Sequence, residues 1–133
     1  MPVTYEIDAA RHLVWTVATG VVTYAEVARH LAEEERDDAL GLAEVIDARG
    51  ATTDLTAEQV RSLVLLTDAL LRRGRFGALA LVTDNEVAFG MARMYQILVE
   101  ALPVEIAVFR ELADALTWLD AVPGHGSMSS TSS

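Results

Sequence analysis

The spacing of the apolar residues changes once, near position 20, and that change constrains the fold more than any other feature of the chain. Val3, Tyr5 and Ile7 alternate with Thr4, Glu6 and Asp8, and Leu13, Trp15 and Val17 repeat the pattern after the connection Asp8-Ala9-Ala10-Arg11. A period of two turns one side of each segment toward a core, so the pattern predicts an antiparallel hairpin whose second strand ends at Gly20. From there the period is that of a helix. Tyr24, Val27, Ala28 and Leu31 form one stripe, and Thr23 with Glu26 three residues on predicts a capping box at its start.

Strand and helix patterns alternate from residue 43 onward. Ala43–Arg49 reads as a short strand. Thr56 and Gln59 supply a second capping box, opening a helix with Val60, Leu63, Val64, Leu70 and Leu71 on its core side. Arg72 and Arg73 fall in its last turn, where positive charge suits the helix dipole, and Gly74 takes the C′ position. Ala78–Val82 is a near-continuous apolar strand, as expected where both faces are covered. Met91, Met94, Tyr95 and Leu98 mark a third helix, Val104–Phe109 a strand, and Leu112, Ala115, Leu116 and Leu119 a final helix. The order β-β-α-β-α-β-α-β-α predicts an α/β fold. It has a mixed sheet of about five strands, the N-terminal hairpin followed by βα units with the last three strands parallel, and four main helices. Residues 1–121 form one domain in this reading, and the Gly/Ser-rich segment 122–133 a disordered tail.

Composition narrows the chemistry. The 133 residues carry a net charge of -10 and contain no cysteine, and all ten basic residues are arginine. Disulfides, zinc–thiolate sites and cysteine nucleophiles are therefore excluded, and the acidic excess argues against nucleic acid as a partner. The N-terminus shows no basic segment leading into an apolar run, so no signal peptide is expected and a cytoplasmic location follows as the expectation. Leu63–Leu71, broken by Thr67 and Asp68, falls far short of the roughly 18 apolar residues of a membrane span. Five of the twenty acids lie between Glu33 and Asp38, at the end of the first helix. Acids there oppose the dipole by about 0.3–1 kcal/mol each at low salt, which reads as a solvated helix end, or else as a docking surface for a basic partner.

The catalytic inventory is short. His12, His30 and His125 have no spacing that brings two onto one metal, and each reads as a surface or rim histidine, so no metal and no cofactor is expected. No G-x-S-x-G, P-loop or G-x-G-x-x-G sequence occurs. In open α/β sheets ligands bind beyond the carboxyl ends of the strands. Those ends give a candidate ligand rim of Asp47, Arg49, Asp84 and Asn85, with Phe89, Gly90 and Arg93 at the start of the third helix. Arg49 and Arg93 offer forked donors to an anion; equally, they pair with Asp47 and Asp84 and tie loops to helices. Gly90 inside a helix costs roughly 1 kcal/mol relative to alanine, which a close backbone approach would offset. Met91 and Met94 read as core packing, with a soft ligand-binding wall as the alternative.

Three segments carry a family resemblance: Gly20-Val21-Val22-Thr23-Tyr24-Ala25-Glu26, Val45-Ile46-Asp47-Ala48-Arg49 and Phe89-Gly90-Met91-Ala92-Arg93-Met94-Tyr95. The closing Val108-Phe109-Arg110 and Ala115-Leu116-Thr117-Trp118-Leu119 add to it. In this order the chain resembles the SpoIIAA-like, or STAS, domains, and within them a small bacterial subgroup that is distantly lipid-transfer-like. The resemblance implies a non-enzymatic regulatory or protein-interaction module working through a protein partner or a homodimer. The alternative is a carrier for a small anionic or lipid ligand at the strand ends. Anti-sigma-factor antagonists of this fold carry a phosphorylatable serine in an Asp-Ser-Ser-Gly sequence. The matching positions are Asp54-Leu55-Thr56-Ala57, which makes Thr56 the candidate phosphosite, with leucine and alanine departing from the pattern.

Overall fold

A computed structural model describes residues 3–122. The elements are β1 (Val3–Asp8), β2 (Leu13–Val22), α1 (Tyr24–Arg36), β3 (Ala43–Thr53), α2 (Ala57–Leu71), β4 (Leu79–Val82), α3 (Glu86–Leu98), β5 (Ile106–Phe109) and α4 (Leu112–Ala121). They build one five-stranded sheet in the order β1-β2-β3-β4-β5. β1 and β2 pair antiparallel, and β2 through β5 are parallel, so the mixed sheet with four helices has the expected class and order.

Two strands run further than their patterns suggested. β2 passes through Gly20 instead of ending there, because Gly20 sits at φ +68, a conformation that costs glycine nothing. The β2–β3 register shifts between Val17 and Thr19, and the pairing then resumes with Gly20 opposite Ala51. β3 likewise continues past Arg49 to Thr53. Asp47 and Arg49 therefore lie along a strand, and the strand end carries Thr52 and Thr53.

The strand period sorts residues onto two faces. Leu13, Val45, Ala80 and Val82 pack against Ala115 and Leu119 of α4, with Trp15, Phe109 and Trp118 at the margin. Val122, placed in the tail by its sequence, is buried in this same cluster; the remaining tail positions lie outside the described residues. The opposite face carries Thr16, Ala18, Glu44, Ile46, Leu79, Leu81 and Val108, and α1, α2 and α3 pack over it. Among the described residues no helix is long and apolar enough to cross a membrane.

The caps differ in detail. Thr56 and Gln59 form the full reciprocal capping box at α2. At α1 the Thr23 hydroxyl accepts from the Glu26 amide at 3.2 Å, but the Glu26 carboxylate turns to Arg29 at 2.6 Å. Gly74 does not adopt the left-handed conformation of a C′ glycine.

Candidate functional site

The layer between the sheet and α1–α3 is not filled. It leaves a cavity of about 190 Å³ that is partly open to the surface. The cause is visible in the side chains: Ala18, Ala48 and Ala51 from the sheet and Ala88 and Ala92 from α3 line a space where larger residues would meet. Leu31, Leu63, Ile46, Leu81, Met91 and Val108 complete a wall that is almost entirely apolar. Tyr95 closes part of it, its hydroxyl 2.5 Å from the Thr67 hydroxyl, and burial raises its pKa.

One end of the cavity is polar. His30 and Glu34 lie four residues apart on α1, and Glu44 faces them from β3; all three line the cavity. Glu34 is 1% exposed and His30 5%. Glu44 Oε2 accepts from the Thr16 hydroxyl at 2.5 Å and lies 2.8 Å from His30 Nε2. His30 Nε2 is also 3.3 Å from Glu34 Oε1. The Tyr5 ring packs edge-on against the imidazole at 5.2 Å. Burial, and then the charge of Glu44 and a hydrogen bond shared with it, push the Glu34 carboxyl up to about 10. At neutral pH Glu34 therefore holds a proton. Two polar atoms of the cluster, His30 Nδ1 and Glu34 Oε1, are buried with no hydrogen-bond partner among the described residues.

This arrangement corrects two sequence readings. His30 is not a surface or rim histidine. The acids from Glu33 to Asp38 are not a uniformly solvated helix end either. Glu34 turns inward, Glu33 pairs with Arg29 at 2.7 Å, Glu35 with Arg73 at 2.7 Å, and Asp37 accepts from the Tyr5 hydroxyl. The signal was in the helical period, since Val27, His30, Leu31 and Glu34 occupy one stripe at i, i+3, i+4 and i+7.

The strand-end rim lies elsewhere, and none of its seven residues lines the cavity. Arg49 donates through Nε and Nη2 to the two Asp47 carboxylate oxygens, both at 2.8 Å, and holds that carboxyl below its ordinary range. Asn85 caps α3, its side chain accepting from the Ala88 amide at 2.9 Å and from the Thr52 hydroxyl at 3.3 Å. Phe89 lies 4.0 Å beneath the Arg110 guanidinium, which also pairs with Glu86 at 2.6 Å. Asp84 and Arg93 are exposed, and no ion pair joins them to another described residue. Gly90 faces open space, so no close backbone approach explains it. Thr56 is exposed as a helix cap, and Met91 lines the cavity while Met94 does not.

The fold has a solved counterpart. An uncharacterised protein of the DUF3478 family from Shewanella loihica PV-4, described as having a SpoIIAA-like fold, superposes with a TM-score of 0.56 at 17% sequence identity. The match covers 87% of this chain and 92% of that one. The chain has a SpoIIAA-like fold. The expectation drawn from its segments is met at that level, and at 17% identity the likeness speaks for the SpoIIAA-like architecture alone. No protein-family model and no curated protein matches the chain.

Proposed function

We propose that the chain is a non-enzymatic SpoIIAA-like binding module whose occupant is a small apolar molecule held between the sheet and α1–α3. The observation that carries this reading is the apolar cavity of about 190 Å³. An apolar cavity of roughly 150 Å³ stays dry and takes up a molecule the size of benzene. Drug-sized ligands occupy roughly 300–1,000 Å³. The volume therefore suits a single ring or a short acyl segment better than a whole lipid. The polar end refines the ligand class further. Glu34 and Glu44 flank it, and no arginine lines the cavity, so an anionic head group meets repulsion there and a neutral or donor-bearing one does not.

Native mass spectrometry of freshly purified protein tests the reading. A retained low-mass ligand, or uptake of added neutral aromatics in preference to matched carboxylates, is expected. A chain that shows only its own mass, and whose melting temperature is unmoved by any neutral aromatic, is no carrier.

A specific observation supports a second reading, contact with a protein or with another copy. Leu65 on α2 is 71% exposed, and Val87 and Ile97 on α3 are 56% and 54% exposed. Light scattering across a concentration series tests it, and a monomer at every concentration would remove the homodimer.

A further inference from the structure

His30, Glu34 and Glu44 each offer one donor atom, and the three atoms lie within 4.8 Å of one another. We infer that this cluster is a binding site for a zinc-class divalent cation at the polar end of the cavity. The inference stands on the donor set and its burial, and holds whether or not the apolar cavity carries a ligand.

Geometry comes first. Zinc binds nitrogen and carboxylate oxygen at about 2.0–2.2 Å, which puts neighbouring ligands of a tetrahedral ion roughly 3.3 Å apart. His30 Nε2 stands 3.3 Å from Glu34 Oε1 and 2.8 Å from Glu44 Oε2, so a small opening of one contact accommodates the ion. A helix supplies two donors at i and i+4, and a paired strand supplies the third. The cavity gives room for a water as fourth ligand.

Charge and satisfaction point the same way. Two ionised glutamates match a dication, leaving the buried site neutral. Glu34 Oε1, 99% buried with its residue and aimed at the imidazole, has no partner among the described residues. A bound ion satisfies that oxygen. The donor set also selects the class of ion: magnesium and calcium need six or more oxygen ligands, whereas one imidazole with two carboxylates suits zinc and its first-row neighbours.

Binding is then an exchange of protons for metal. The ion takes the Nε2 lone pair and both carboxylates, which places the imidazole proton on Nδ1, and any proton displaced from the carboxyl groups leaves to solvent. The other titratable groups facing the cluster are Tyr5 from β1, whose ring packs on His30, and Tyr95 from α3.

The test uses the full chain after treatment with a chelator. Calorimetric titration with zinc chloride should give one equivalent per chain. Glu34→Gln and Glu44→Gln, checked for folding by circular dichroism, should each weaken binding by about 100-fold, as expected for removal of a direct ligand when even supporting residues matter 10–100-fold. Cobalt(II) added to the wild-type chain should develop the visible absorption of a low-coordinate ion. A folded wild-type chain that takes up no zinc and gives no such cobalt band overturns the inference, even if the variants fail to fold. So does zinc binding of equal affinity in wild type and both variants.

Discussion

Glu34 keeps its proton at neutral pH because its carboxyl is surrounded by hydrocarbon and faces a second carboxylate, and this has a measurable sign. The folded value of about 10 lies above the ordinary 4.5, so the native chain binds more protons than the unfolded chain across that interval. The stability contributed by Glu34 is full below about 4.5 and is lost as pH rises through about 10. Glu34→Gln, which keeps the shape and removes the titration, is therefore expected to flatten the decline in stability between about pH 6 and 9; urea unfolding of the metal-free chain at several pH values would show it. An identical slope in both proteins would mean that Glu34 ionises freely. Asp47 acts with the opposite sign, since its pKa is lowered by the Arg49 pair, and its contribution disappears as pH falls below the ordinary aspartate range. Thr56 gives a simpler prediction. Its hydroxyl accepts from the Gln59 amide at 3.1 Å, so Thr56→Ala should cost about 1 kcal/mol in the same unfolding measurement. Both roles had different legibility. Thr56 and Gln59 stand three residues apart, and local geometry alone makes the cap. His30 and Glu34 occupied core positions of the α1 stripe, but their chemical partner, Glu44, comes from a strand that only the tertiary fold brings near.

Elements were readable where one period dominated and less so where a backbone exception extended them. The β-β-α start and the later βα units follow from side-chain spacing, because alternation and the 3.6 period bury different sets of residues. The continuation of β2 through Gly20 and of β3 through Gly50 depends on their pairing with each other, which no local pattern encodes. The link before β4 carries a further constraint. Gly77 donates to the Leu40 carbonyl at 2.8 Å, and a Cβ built there would lie 2.1 Å from the Leu42 carbonyl oxygen. That contact is with backbone, so the strand start itself must move. Gly77→Ala is expected to lose about 3 kcal/mol or more, the upper range for overpacking. Gly90→Ala meets nothing within 4 Å and removes a helix glycine, so it should stabilise by roughly 0.5–1 kcal/mol. Chemical denaturation of the two variants side by side checks both signs.

At the scale of the whole molecule, the sheet divides its work between two faces. α4 closes one side over a filled core, while α1, α2 and α3 span the other side and leave the cavity. The strand ends, with Arg49 and Arg93 beside them, suggested a rim for an anion, but the cavity lies beneath the helices and its polar end is acidic. Alanine was visible at every position that creates the space, yet a void arises only from how distant alanines face one another. The central claim is that this space binds an apolar molecule, and filling it tests that claim most directly. The neutral single-ring ligand toluene, titrated calorimetrically into wild type and into Ala92→Leu, should bind about one equivalent of wild type and at least tenfold more weakly to the filled variant, while Ala92→Leu keeps the wild-type circular dichroism. Equal toluene binding by the two folded proteins, or none by wild type, would contradict it.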